Sequence, residues 1–214
     1  MKNNIVAVIP AFNEEKTIGS VVLQIKKFAI PLVVNDGSTD DTKGIAESNG
    51  AILVDHIVNR GYEQALQSGF EKALNMDCEY VITLDADGQH DPTTIAKFHE
   101  KIEEGYDVIV GVRDRRQRIS ESIFSVVGKF KWNFEDPLCG MKVYRTVALK
   151  DAMAKLHNFD SIGTKYAIWI ASHGGRVYQI QIKTSDRKDK PRFGSGIKAD
   201  IRITCAMLLA LVLI

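Results

Sequence analysis

The first 110 residues alternate short apolar runs with amphipathic helical patterns, and that grammar leaves few folds open. Ile5–Ile9, Pro31–Val34, Ala51–Val54, Tyr80–Leu84 and Asp107–Val110 have the length and apolar continuity of buried strands. Between the first two, Ile18, Val21, Val22, Ile25 and Phe28 form one stripe, opened by Asn13 and Glu14 as cap and first-turn acid. Ala65, Leu66, Gly69, Phe70, Ala73 and Leu74 form a second. Asp91-Pro92 opens a third, in which Ile95, Phe98 and Ile102 recur on one face until Gly105. Near-continuous apolar strands separated by helices predict an α/β sandwich: a mostly parallel sheet with helices on both faces. In such a sheet, ligands gather at the carboxyl ends of the strands.

The second half reads differently. Gly111–Glu135 is polar and basic with no clear period. Leu138–Arg145 predicts a further strand, Thr146–Leu156 and Ser161–Ser172 two helices, and Arg176–Lys183 a half-exposed strand with Tyr178, Ile180 and Ile182 on one face. A loop with Arg192, Gly194 and Gly196 leads into a closing helix from about Ile197. Its run from Ile203 to Ile214 has 12 uncharged residues, too few for the roughly 20 that cross a bilayer. The expected organisation is one α/β domain over 1–190 and a basic loop with an apolar, membrane-associating helix over 191–214.

Composition narrows the class. At 214 residues and 45% hydrophobic, the chain can bury a core of its own, and disorder is excluded. Cys78, Cys139 and Cys205 are an odd count without CxxC spacing, which argues against a disulfide framework or structural zinc and for a reducing compartment. The apolar run in MKNNIVAVIP is too short for a signal peptide. Net charge is only +1, yet Gly111–Asn133 holds six Lys/Arg against two Asp/Glu, and Lys183–Arg202 seven against three. Two basic stretches on a neutral chain suit one localised anionic partner. Without aromatic interleaving or a recognisable motif they do not suit nucleic acid.

Three loops follow strands and carry polar chemistry. Asp85-Ala86-Asp87 comes directly after the apolar run YVITL, and aspartate is disfavoured inside strands. Alternate residues of an extended segment point the same way, so Asp85 and Asp87 can address one site. One or two carboxylates sharing a divalent ion with substrate phosphates is the usual way Mg²⁺ is held, and Gln89 or His90 could add a ligand. Asn35-Asp36-Gly37-Ser38-Thr39-Asp40 leaves the second strand, and Asp36, acceptor-only when ionised, suits a nucleobase N–H. Asn13-Glu14-Glu15 leaves the first. Each loop also reads as an ordinary turn feeding a helix cap. Together they should converge on one edge of the sheet.

VIPAFNEEKTI, VVNDGSTDDT, DADGQHDP and DPLCGMKVYR, in this order and spacing, resemble the successive signatures of family 2 inverting glycosyltransferases with a GT-A fold. Within that family the chain looks most like the dolichol-phosphate mannose synthase-like enzymes, which load a sugar onto a polyprenyl phosphate. The resemblance covers Ile5 to about Arg202. It implies a Rossmann-like three-layer sandwich. Pro10, Phe12, Glu14, Val34, Asp36, Asp85 and Ala86 would line the nucleoside pocket. Asp87, with Gln89, would hold Mg²⁺ or Mn²⁺ on the donor diphosphate. Arg113, Arg192 and Lys198 would face phosphate, Arg113 and Arg118 would meet the acceptor phosphate, and Asp136 matches the acceptor-side aspartate that is a base in many relatives.

The implied function is transfer of a sugar, with inversion, from a nucleotide sugar to polyprenyl phosphate on the inner, cytoplasmic face of the membrane, in cell-envelope glycan synthesis. An acceptor phosphate is already ionised, so Asp136 would then position rather than deprotonate. The alternative is a saccharide or other hydroxyl acceptor with Asp136 as true base. The closing helix has two other readings, packing on the domain or burial in a homo-oligomer. Glu63 stands where relatives commonly have glycine, and 111–135 is short beside the mannose synthases. His56, His99, His157 and His173 read as core or surface, Trp132 and Trp169 as packing, and Cys139 as no nucleophile.

Overall fold

A computed structural model describes residues 4–88, 92–114, 118–156, 161–183 and 197–213. One sheet runs through the centre with strand order β3-β2-β1-β4-β6-β5-β7. Its strands are β1 (Ile5–Ala11), β2 (Ile30–Asp36), β3 (Ile52–His56), β4 (Tyr80–Thr83), β5 (Val108–Arg113), β6 (Lys142–Arg145) and β7 (Val177–Ile182). Pairing is parallel throughout except around β6, which runs antiparallel to both β4 and β5. The expected mostly parallel α/β sheet is present, with this one inversion.

The helices are α1 (Ile18–Ile25), α2 (Thr42–Ser48), α3 (Tyr62–Leu74), α4 (Pro92–Glu103), α5 (Ile119–Trp132), α6 (Thr146–Lys155), α7 (Ile162–Ser172) and α8 (Ile197–Leu213). The apolar positions of α1 named above are buried, and every residue of β1 is buried. Such burial on both faces is what a continuous apolar strand requires. In α3, Gly69 lets the helix settle on the sheet, since a Cβ there would run into Val8 and come within 3.1 Å of Val34 Cγ2.

Two segments differ from expectation. Strand β6 opens only at Lys142, because Asp136, Pro137 and Cys139 are spent on a turn in which Cys139 N–H donates to Asp136 O. The unperiodic 111–135 stretch contains a full helix, α5. Its pattern is masked because Phe124 and Trp132 face the core while Ile123, Val126 and Phe130 face outward, leaving apolar residues on both sides.

Helices α5 and α8 pack side by side and parallel. Ser120 bonds Asp200 at one end, and Lys131 Nζ donates to Leu211 O at the other, 3.1 Å away. Ile203, Ala206, Met207 and Ala210 of α8 are buried. The closing helix therefore packs on the domain. Among the described residues no helix is long and apolar enough to cross a membrane.

Candidate active site

Parallel strands β1, β2, β4 and β5 deliver Ala11, Asp36, Thr83 and Arg113 to the same edge of the sheet. Because β6 is antiparallel, its first residue, Lys142, arrives there too, opposite Thr83 and Val110. The three polar loops meet at this edge as the alternation required.

The loops after β1 and β2 are laced together. Asn13 Oδ1 accepts the Thr39 N–H at 2.8 Å, Asn13 N–H donates to Ser38 Oγ, and Glu14 N–H donates to Thr42 Oγ1 at 2.7 Å. Asn13 holds φ at 53°, a left-handed turn asparagine tolerates. Glu14 is buried and takes a hydrogen bond from Thr17 Oγ1. Pro10 and Ala86 are buried and Phe12 half-buried, whereas Val34 is wholly inside, against α3.

Asp36 accepts three hydrogen bonds. Oδ1 accepts from His56 Nδ1 at 2.7 Å and from Arg60 N–H at 2.9 Å, and Oδ2 accepts from Gly61 N–H at 2.8 Å. A carboxylate only accepts, so His56 Nδ1 carries a proton, and Nε2 lies 3.0 Å from the Ser68 hydroxyl. His56 is core, one of the two places its sequence allows, but its partner is a predicted site residue. No local signal reveals this, since Asp36 and His56 meet through strand register.

Asp85 and Asp87 follow β4, both half-buried. Gly140 leaves room for the first: a Cβ there would be 2.9 Å from Asp85 Oδ2. Tyr62 Oη lies 3.5 Å from Asp85 Oδ1, and burial, with the charge of Asp85, pushes its phenol well above the usual range. Hard carboxylate oxygens at a strand end fit Mg²⁺ or Mn²⁺ better than a softer ion. Among the described residues no three His, Cys, Asp or Glu side chains cluster as a ready-made metal site. Gln89 and Arg192 lie outside the described residues; Lys198 is in the first turn of α8, with its side chain outside them.

Arg113 and Asp136 form a two-pronged pair. Nε donates to Oδ2 at 2.7 Å and Nη2 to Oδ1 at 3.0 Å, while the Arg113 backbone N–H also donates to Oδ2. Glu121 meets Arg113 Nη2 at 3.3 Å and Arg118 Nη1 at 3.7 Å. Burial works against the Arg113 charge, but its bonds to Asp136 outweigh that and hold the guanidinium above its ordinary value. The predicted Arg113, Arg118 and Asp136 are thus one cluster.

Two contributors had no assigned role from sequence. Lys142 is buried, donates to Cys139 O, and feels the charges of Asp136, Asp85 and Arg113; burial lowers its pKa. A lysine between Met141 and Val143 in an apolar strand was the available signal. Glu63, the departure noted above, has a local reason: Oε2 accepts the Ile162 N–H at 2.8 Å and so ties α3 to the start of α7. Cys139 is fully buried with its thiol pushed up to about 12 by burial, which disqualifies it as a nucleophile.

Comparison with known proteins adds to this geometry. The profile described as Glycosyl transferase family 2 matches residues 6–151. An uncharacterized protein of Methanocaldococcus jannaschii is 34% identical, over 86% of this chain and 82% of its own. The undecaprenyl-phosphate 4-deoxy-4-formamido-L-arabinose transferase of Proteus mirabilis is 30% identical over 87% of this chain, which spans only 61% of that enzyme. In fold, the chain is similar to glucosyl-3-phosphoglycerate synthase from Mycobacterium tuberculosis, solved with Mn²⁺, uridine diphosphate and phosphoglyceric acid. The TM-score is 0.74 at 20% identity, covering 97% of this chain and 78% of that one.

Proposed function

Since this chain belongs to glycosyl transferase family 2, and is thereby a glycosyltransferase, we propose that it moves a sugar from a nucleotide-sugar donor to a polyprenyl phosphate at a membrane surface, with inversion and with a divalent metal. The observation that carries the acceptor assignment is the grip of Arg113 on Asp136. Three of the roughly four acceptor positions of that carboxylate are filled by Arg113. A general base must take a proton from its substrate, and this carboxylate is committed elsewhere. A phosphate acceptor asks for no base.

In this reading a phosphate oxygen attacks the anomeric carbon, the bond from that carbon to the diphosphate oxygen breaks, and the nucleoside diphosphate leaves with the electron pair. Asp136 holds Arg113 in place, and Arg113 with Arg118 meets the acceptor phosphate. Asp87, with Asp85 beside it, would hold Mg²⁺ or Mn²⁺, which as a Lewis acid would stabilise the departing diphosphate; Lys142, which feels the charge of Asp85, would add positive charge nearby. Asp36 reads the base, Pro10, Phe12 and Glu14 wall the nucleoside, Gln89 would join Asp87 at the metal, and Arg192 and Lys198 would complete the phosphate contacts. Likeness to the Proteus mirabilis enzyme supports the acceptor class, and likeness to a fold solved with Mn²⁺ and uridine diphosphate supports the donor and metal.

The helix pair supports the membrane. At about 100° per residue, Ser120 and Lys131 share one line on α5, as do Asp200 and Leu211 on α8, and these lines face each other. Ile123, Val126 and Phe130 lie about a quarter-turn to one side of the first line. Ile201, Thr204, Cys205 and Leu208 lie about a quarter-turn in the opposite sense from the second. In a parallel pair, opposite senses put both stripes on the same side. All seven residues are exposed, Phe130 at 87%, and exposed Lys129 flanks them. Such a face suits lipid below and anionic headgroups beside. The deciding experiment incubates the protein and Mg²⁺ with several nucleotide sugars and a short polyprenyl phosphate, then reads product masses. A glycosyl phosphate product is expected; products from saccharide acceptors alone would favour the hydroxyl alternative.

A further inference from the structure

We infer that His56 makes the base pocket selective for a base with a single ring N–H, uracil or thymine, over guanine. The inference rests on the nucleotide-sugar reading above and deepens it. It starts from the lone pairs of Asp36. Each carboxylate oxygen accepts about two hydrogen bonds. Oδ1 is filled, by His56 Nδ1–H at 2.7 Å and Arg60 N–H at 2.9 Å; Oδ2 holds only Gly61 N–H at 2.8 Å. One acceptor position remains, on Oδ2, and the Asp36 side chain as a whole is only 5% exposed.

The three donors are fixed. His56 is the register partner of Asp36 on the neighbouring strand, and Ser68 of α3 anchors the far side of its ring at 3.0 Å. The Arg60–Gly61 amides come from the β3–α3 loop, which passes so close to Gly37 that a Cβ there would strike Val58 and Asn59. Gly61, at φ 90°, makes the turn that aims its N–H inward. Asp36 is therefore presented with one place left.

Uracil and thymine offer one ring N–H, which fits one place. Guanine offers N1–H and an adjacent exocyclic amino group, and a carboxylate takes both only with a free position on each oxygen. Here Asp36 has no position for the second guanine donor, the kind of mismatch that polar sites reject strongly. His56 is the side chain that closes Oδ1, so it is the specificity-determining residue, acting through Asp36 without itself touching the base.

Calorimetry with the full chain and Mg²⁺ tests this, using uridine, guanosine and inosine diphosphates. Inosine keeps the purine and its single ring N–H but lacks the exocyclic amino group, so the purine pair isolates the second donor at constant size. Uridine diphosphate is expected to bind about tenfold or more tighter than guanosine diphosphate, and inosine diphosphate tighter than guanosine diphosphate. His56→Leu, which frees one position on Oδ1, should narrow the inosine–guanosine gap. His56→Asn, whose amide N–H can stand in for Nδ1–H, should keep it. Guanosine diphosphate binding as tightly as inosine diphosphate to the wild type would overturn the inference, as would an unchanged gap in folded His56→Leu. If that variant does not fold, the wild-type purine comparison still decides. Failure of all three nucleotides to bind would instead overturn the donor reading.

Discussion

Arg113 holds Asp136 by both carboxylate oxygens, through Nε at 2.7 Å and Nη2 at 3.0 Å, and adds its own backbone N–H. In the proposed function, Arg113 meets phosphate, and the paired, buried Asp136 is then a positioning device. Asp136→Asn should therefore raise the KM for polyprenyl phosphate and leave the pH dependence of kcat unchanged. Removal of a true base would instead lower kcat by about 10²–10⁴. Loss of one partner of a buried pair costs about 3–5 kcal/mol, so stability must be measured alongside.

Asp87→Asn should abolish transfer and Mg²⁺- or Mn²⁺-dependent binding of the nucleoside diphosphate while leaving the circular dichroism spectrum unchanged. The side chain is half-buried at a strand end, where one lost negative charge weakens a hard cation more than it weakens the fold. Near-normal turnover at low metal concentration would remove Asp87 from the metal site.

Lys142 makes stability depend on alkaline pH in a definite direction. Burial lowers its folded pKa below the ordinary 10.5. Between the two values the unfolded chain binds more protons than the folded one, so this group makes unfolding harder as pH rises through that window. Cys139 acts oppositely: its folded thiol is raised to about 12 from 9.0, so stability falls as pH climbs between those values. Urea melts of wild type, Lys142→Met and Cys139→Ala at pH 8 and 10 separate the two. Relative to wild type, Lys142→Met should lose stability from pH 8 to 10, and Cys139→Ala should gain it.

Thiol labelling under native conditions should modify Cys205 quickly and spare Cys78 and Cys139. Cys205 is exposed and the other two are buried, with burial raising both of their pKa values. Mass spectrometry after a short pulse at pH 8 would read one adduct.

The paired helix face predicts that Phe130→Asp with Leu208→Asp abolishes flotation with anionic liposomes and spares nucleotide binding. Both side chains are exposed and neither belongs to the core. Truncating α8 would be a poorer test, since Ile203, Ala206, Met207 and Ala210 are buried and their loss would damage the domain. A wild-type chain that stays soluble beside liposomes at low salt, and sediments as a dimer that the double variant dissociates, would assign the face to a second copy.

Sequence by itself determined the five strands and three of the four helices in the first 110 residues, and read α2 only as a cap after the Asp36 turn. Helix and strand periods are local, and strands buried on both faces are written as unbroken apolar runs. It also placed Asp36, Asp85, Asp87 and Arg113 on one edge, because a parallel sheet leaves strand-end loops little choice. It could not supply pairings between distant residues. That β6 runs backwards, and so brings Lys142 to the edge beside Thr83, depends on which strands it lies between. That Asp136 is held by Arg113, and that His56 bonds Asp36, follows from register and turn geometry across 23 and 20 residues of chain. The helix α5 was hidden in a stretch whose apolar residues face two ways, inward to the core and outward beside α8. Local periodicity cannot divide one set of apolar residues between two faces; only the packing of the folded chain does that.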